Sequence, residues 1–249
     1  MDRDDLRRRG ETMREQLRLE IGAPELAPGL EDFTSEVVFG GLWSRPGLPA
    51  VDRMLVTLSV LAQLQRLEAL RAYVGAALDL GLKPRAIQEV IFQSGLYGGG
   101  PVAAGGLGIA TEVFAARGIE VPAEAWPPVS LDELERRGQA TLDRLHGARG
   151  REGYAAPDNQ ATAALYKLAI QYGYGEIWSR PGLDWRGRML CALANFTVLR
   201  LDATLAKFAQ SALNVGLSRE EVIEAIMQTA PYGGFPVALS ALNTVGKVL

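Results

Sequence analysis

The sequence predicts an all-α protein made of two tandem helical bundles packed on each other as a pseudo-dimer. Three observations lead there. The box Trp43-Ser44-Arg45-Pro46-Gly47-Leu48 returns as Trp178-Ser179-Arg180-Pro181-Gly182-Leu183, and the turn Tyr97-Gly98-Gly99-Gly100-Pro101-Val102-Ala103 returns as Tyr232-Gly233-Gly234-Phe235-Pro236-Val237-Ala238, every pair 135 positions apart. Between these markers apolar residues recur at helical spacing, or in runs too long for a strand. No segment reads as a strand. The repeats are expected over residues 1–120 and 130–249, joined by a linker over 121–129. Each half alone is a small bundle with little core, so the halves are expected to pack together.

Taken in order, Asp5 to Ile21 sets Leu6, Met13, Leu17 and Leu19 among charges, which predicts a mostly exposed amphipathic leader helix. Gly22 to Gly29, with Pro24 and Pro28, predicts a loop. Asp32 to Glu36 begins a helix with Phe33, Val37, Val38, Phe39 and Leu42 on its apolar face; Pro46 and Gly47 break it. Asp52 to Leu67 is apolar on nearly every side and predicts a central buried helix. Glu68 to Leu80 predicts a second, stopped by Gly81. Pro84 starts a third in its first turn, and Pro101 starts a last one running to about Arg117. After a linker with Pro122, Pro127 and Pro128 the pattern restarts. Leu134-Glu135-Arg136-Arg137-Gly138 echoes Leu6-Arg7-Arg8-Arg9-Gly10, a longer loop follows around Gly147 to Asp158, and helices are predicted over 161–177, 188–199, 202–215, 219–229 and 236–249.

Bulk properties exclude several classes. A chain of 249 residues, 48% hydrophobic and 22% charged, has ample length for a core. The net charge of -3 argues against binding to nucleic acid or to an anionic membrane, both of which need a basic face. No apolar run is long enough to span a bilayer, and the charged start Met1-Asp2-Arg3-Asp4-Asp5 is not a secretory signal. The expected compartment is the cytoplasm. One cysteine, Cys191, excludes an internal disulfide, and one histidine, His146, excludes the usual histidine metal clusters.

The residues present in both copies are the site candidates: Arg45 with Arg180, Arg53 with Arg188, Glu89 with Glu224, Gln93 with Gln228, and Tyr97 with Tyr232. Each has a structural explanation when taken singly. Arg45 suits a helix C-terminus, Arg53 and Glu89 suit an ion pair, and the tryptophans suit packing. Taken together they suit an anion site, because a Tyr-Gly-Gly turn before a proline-started helix leaves backbone N–H groups free. Cys191 and Asn195 lie four apart on one face of the second central helix, where the first half has Val56 and Val60. Asn195 either ties helices together or lines a pocket with Cys191, which is more often a packed thiol than a nucleophile.

Arg53-Met54-Leu55 at the head of a buried helix, the Glu-x3-Gln helix, the Tyr-Gly-Gly-x-Pro-x-Ala turn and the Trp-Ser-Arg-Pro-Gly-Leu box together resemble the carboxymuconolactone decarboxylase family, over nearly the whole chain. The resemblance implies an all-α fold, ring-like oligomers and, in the decarboxylase branch, no metal or organic cofactor. A fused pair of units then implies a homo-oligomer, either a trimer forming a pseudo-hexamer or a dimer. The related alkylhydroperoxidase branch carries Glu-x11-Cys-x2-Cys-x3-His; the matching positions here are Met54, Arg66, Ala69 and Tyr73, and Met189, Leu201, Thr204 and Phe208. A thiol peroxidase needs a thiolate and a resolving partner, so that activity is excluded. The histidine of the decarboxylase branch falls on Tyr73 and Phe208, while His146 is expected at the surface.

The expectation is therefore a cofactor-independent enzyme using proton transfer on a small or medium carboxylate, lactone or β-dicarbonyl compound, by decarboxylation, cyclisation or isomerisation. Tyr73 is the expected acid or hydrogen-bond donor, and Glu89 or Glu224 the proton acceptor if it faces the pocket. Arg45, Arg53, Arg180 and Arg188 are expected to hold the anion, with Tyr97, Tyr232, Cys191, Asn195 and Phe208 lining the pocket. The alternative is a non-catalytic ligand-binding or structural oligomer on the same fold.

Overall fold

Helices form wherever the apolar spacing asks for them, and the computed structural model describes them over residues 2–19, 27–122, 126, 128–156 and 158–249. Among these residues there is no strand. Ile21, Pro24 and Pro127, which the sequence places in the leader helix, the following loop and the linker, lie outside the described residues.

The first half runs α1 (Arg3–Leu17), α2 (Leu30–Asp32) continuing as a π-helix (Phe33–Trp43), α3 (Ala50–Gln63), α4 (Leu67–Asp79), α5 (Pro84–Gly98) and α6 (Gly100–Ala116). The second runs α7 (Leu131–His146), α8 (Ala163–Leu168) continuing as a π-helical segment (Ala169–Tyr174), α9 (Trp185–Val198), α10 (Asp202–Ala212), α11 (Arg219–Gln228), α12 (Ala230–Gly233) and α13 (Phe235–Val245). Short 3₁₀ turns fill the longer loop after α7. Local chemistry accounts for several starts. Asp2 and Asp5 form a capping box on α1, Ser218 and Glu221 do so on α11, and Pro84 occupies the first turn of α5.

The two π segments replace what periodicity reads as plain α-helix. At their ends Ser44 N–H reaches back to Phe39 O and Gly175 N–H to Ile170 O, five residues each. Both lie where a leader helix presses backbone against backbone. A Cβ on Gly10 would collide with the Ser35 carbonyl, and one on Gly40 with that of Leu6. Gly138 and Gly175 stand in the same relation to Ile170 and Leu134. The leader helices are thus docked closely at duplicated glycine pairs. Of the apolar residues that suggest an exposed leader, Leu17 and Leu19 are buried, while Leu6 and Met13 are only half-buried.

Helices α3 and α9 pack on each other at the centre, and each half's α5 or α11 lies across the central helix of the other half. The ion pairs follow this crossing. Glu89 of α5 is held by Arg180 (Nε at 3.0 Å from both carboxylate oxygens) and Arg188 (3.0 Å), both from the second half, and by Arg85 of its own helix (2.9 Å). Glu224 of α11 is held by Arg45 (2.6 Å) and Arg53 (2.7 Å) of the first half. The Arg53–Glu89 pair suggested by the sequence is therefore corrected: each arginine reaches the glutamate of the opposite repeat. Arg53 and Arg188 are fully buried, and their forks are completed by Gln228, Gln93 and the carbonyls of Arg45 and Arg180. Burial works against the charge on Glu224, yet Arg45 and Arg53 hold its carboxyl below the usual range.

Removing one partner of a buried pair strands the other charge. Glu89→Gln is expected to lower stability by about 3–5 kcal/mol, read as a fall in the urea midpoint; an unchanged midpoint would mean that Arg188 finds another counter-ion. Gly138→Ala is expected to cost about 1–3 kcal/mol through overpacking against Ile170, whereas the exposed Gly108→Ala should be near neutral in the same measurement.

Candidate active site

Beyond each ion-pair cluster the tryptophan and tyrosine common to both repeats meet, again across the halves. In the first cluster the Trp43 indole donates to the Tyr232 hydroxyl at 2.7 Å, and the Tyr73 and Tyr232 hydroxyls are 2.7 Å apart. The Tyr73 ring stacks on Trp43 (6.3 Å, 19°) and meets Tyr232 edge-on (5.4 Å, 85°). Tyr73 is 2% exposed and Trp43 1% exposed, so this cluster is filled by its own side chains.

The second cluster has the same frame with different filling. Phe208 takes the place of Tyr73, with its ring 6.2 Å from Trp178, 4.8 Å from Phe196 and 4.7 Å from His146. Phe208 has no phenolic oxygen, and the site beside it is open. A cavity of ≈ 370 Å³ is lined by Leu96 and Tyr97 of the first half and by Tyr166, Tyr174, Trp178, Phe196 and Phe208 of the second, a size that suits a small-molecule ligand. A second hollow of ≈ 460 Å³ shares Tyr154, Tyr166, Tyr174, Thr204 and Phe208 with it and adds Arg149 and Lys207. The open site is thus an aromatic chamber next to a charged one, in which Arg149 and Lys207 outnumber Glu152.

His146 sits behind this wall. It is 2% exposed, with Nδ1 2.7 Å from Ser211 Oγ and Nε2 3.2 Å from the Tyr174 hydroxyl. The expectation of a surface histidine is overturned, because docking of α7 at Gly138 brings the helix C-terminus down onto α10. Burial, then Lys207 and Arg149, push its pKa down to about 3, so the ring is neutral in this setting. Burial raises Tyr174 well above the ordinary phenol range, with Tyr166 and Tyr97 adding to the effect, and burial likewise raises Tyr97.

The structure sorts the sequence candidates as follows. Tyr97 and Phe208 line the cavity. Tyr73 and Tyr232 face each other in the filled cluster. Glu89 and Glu224 are spent on arginines, so the role of proton acceptor does not fit either carboxylate; Arg45, Arg53, Arg180 and Arg188 are spent in turn on those glutamates and do not fit the role of anion holders. Cys191 is fully buried with its thiol pushed up to about 11 by burial, and Asn195 donates to Cys191 O (2.7 Å) and Ser94 Oγ (3.3 Å), joining α9 to α5. The pocket role suggested for these two gives way to the helix tie. Trp178, read as a packing residue, both packs and lines the cavity. Sequence reasoning missed Tyr174, Arg149 and Lys207. Tyr174 matches Phe39 in the first repeat, so comparison for shared residues passes over it, and Arg149 belongs to the loop that is longer in the second copy.

The chain has a single histidine, so its titration is legible. The folded value is depressed below the unfolded value of about 6.5, and the unfolded chain therefore binds the proton first as pH falls. Stability should drop from pH 7 to 5, a window above the carboxylate titrations. His146→Gln should flatten that slope, and equal slopes in the two proteins would refute a neutral buried ring.

The sequence matches the carboxymuconolactone decarboxylase family at residues 28–112 and again at 163–245, together more than half of the chain. It is 38% identical over 89 residues to a 4-carboxymuconolactone decarboxylase of Acinetobacter baylyi, covering 36% of this chain and 66% of the relative. It is 29% identical over 83 residues to the nitrosuccinic acid decarboxylase npaB of Metarhizium robertsii, covering 33% and 58%. An uncharacterized 15.0 kDa protein of Paracoccus denitrificans is 36% identical over 93 residues, covering 36% and 69%. The chain thus spans just under two thirds of the first relative's length and less of the second's. With both repeats matched by one family, the chain belongs to the carboxymuconolactone decarboxylase family and carries the family unit twice in tandem.

Proposed function

We propose that this protein is a decarboxylase-type enzyme that works without a cofactor at one site, the aromatic cavity of the second cluster, on a small or medium carboxylate, lactone or β-dicarbonyl compound with an apolar body. The observation that carries this reading is the asymmetry between the clusters: a duplicated frame closes around Tyr73 in one and borders a cavity beside Phe208 in the other. Names of relatives that decarboxylate acids support the reaction class. Cyclisation or isomerisation of the same substrates needs the same groups. Copies of the chain are proposed to assemble as a trimer or dimer, which light scattering checks.

Chemically, an apolar chamber disfavours a carboxylate relative to neutral carbon dioxide. When the carbon–carbon bond breaks, the electron pair moves onto the adjacent carbonyl as an enolate. Tyr97 is placed to donate a hydrogen bond to that oxygen, and the carbon then takes a proton from the tyrosine or from water. Arg149 and Lys207 draw the anion to the mouth. A second reading, ligand binding without turnover, is favoured by the wall itself, whose polar groups are phenols and threonines with no carboxylate among them.

Carbon dioxide release from a panel of β-keto and unsaturated carboxylic acids tests the two readings. Turnover is expected for members with an apolar ring or chain. Thr204→Trp, which fills the cavity, should cut kcat/KM by at least about 100-fold while leaving the thermal midpoint nearly unchanged. Tyr73→Phe should change kcat/KM by less than about threefold. Binding without any turnover would favour the second reading, and a large loss in Tyr73→Phe would return the chemistry to the first cluster.

A further inference from the structure

Proton directions around His146 can be followed one bond at a time. The Ser211 hydroxyl donates to the Lys207 carbonyl at 2.9 Å, and a hydroxyl has one proton to give. With its proton on that carbonyl, Ser211 Oγ accepts from His146 Nδ1 at 2.7 Å and from Arg149 Nη2 at 3.2 Å. That puts the imidazole hydrogen on Nδ1 and leaves the Nε2 lone pair facing the Tyr174 hydroxyl at 3.2 Å. Tyr174 donates to it, so its oxygen offers only lone pairs to the cavity that it lines. The groups facing the imidazole are Tyr174, Ser211, Arg149 and Lys207; the two cations oppose protonation, which keeps this direction fixed.

Tyr97, across the cavity, is set the opposite way. Its oxygen accepts from Gln93 Nε2 at 3.1 Å and faces the Trp178 indole N–H as a further donor. Among the described residues its own O–H has no acceptor, so that proton is available to a ligand. The first cluster provides an internal comparison. There the counterpart of Tyr97 is Tyr232, and the oxygen it meets is the phenol of Tyr73, 2.7 Å away on a ring stacked on Trp43. Phe208 supplies a ring at the equivalent place without the oxygen.

On the footing that this cavity is the working site, we infer that it selects a flat apolar ligand bearing a hydroxyl on an unsaturated carbon, a phenol or an enol, which donates to Tyr174 while an oxygen of the same ligand accepts from Tyr97. His146 is the positioning residue that fixes the direction of the Tyr174 hydroxyl. For a carboxylate substrate this means a hydroxyaryl acid or the enol form of a β-keto acid. A simple alkyl acid gives Tyr174 nothing to accept.

Calorimetry with 2-naphthol and its methyl ether on the full chain tests this, because methylation removes the donor and keeps the ring and the oxygen. The naphthol is expected to bind at least about tenfold tighter than the ether. Tyr174→Phe should erase the difference. Tyr97→Phe should weaken both probes alike, since both oxygens accept. His146→Leu frees the Tyr174 proton and should erase or invert the preference, a ratio that general structural damage would not move. Equal affinity of the two probes for the unaltered protein, or tighter binding of the ether, overturns the inference. Binding of neither probe would instead sink the cavity as the site, and the ligand class with it.

Discussion

The structure depends on two crossed ion clusters in which a buried arginine of one repeat grips a glutamate of the other. Arg188 with Glu89 and Arg53 with Glu224 place full charges where there is almost no water. Such pairs are tolerable only when both partners are present and their remaining donors are satisfied. Here glutamines and backbone carbonyls take the terminal guanidinium donors, with Arg188 Nε alone left without a partner among the described residues, so the arrangement permits one register between the halves. The arginines of the Trp-Ser-Arg-Pro-Gly box come along with the pair, and so do the tryptophan before them and the tyrosine beyond the glutamine. Each site is thereby assembled from both repeats.

This crossing explains why duplication was compatible with divergence. Because each half lends its Glu-Gln-Tyr helix to the other half's cluster, both copies must keep the frame for either cluster to close. The filling is free to change. In one cluster Tyr73 completes a chain of hydrogen bonds through Tyr232 to Trp43 and seals it. In the other, Phe208 stands where Tyr73 does and a chamber lies beside Tyr97, and the longer loop of the second copy brings Arg149 to its edge. One cluster is closed by its own side chains and the other borders a cavity.

Polarity inside the open cluster is set by a relay that begins on a helix backbone. The Lys207 carbonyl orients Ser211, Ser211 orients His146, and His146 orients Tyr174. The carboxylates that seemed natural proton acceptors are too deeply committed to arginine to serve. Neutral phenols held in opposite senses remain the polar voice of the cavity, which favours recognition by hydrogen bonding in a dry site over charge pairing.

The sequence by itself determined the all-α class, the tandem repeat, most helix positions and the set of residues common to both copies, because spacing, caps and repeated boxes are local or self-comparing signals. It pointed to Tyr97 and Phe208, which do line the cavity, and to Tyr73 as the counterpart of Phe208. Only the tertiary structure decided partnership. Nothing local says that Glu89 pairs with Arg188, 99 positions away, or that a lone histidine at the end of a charged leader helix turns inward. The π-helical turns were equally hidden, since they lie where a leader helix docks on glycines from a distant stretch of chain. Which of two matching clusters borders a cavity was decided only where two repeats, a docked helix and a loop converge.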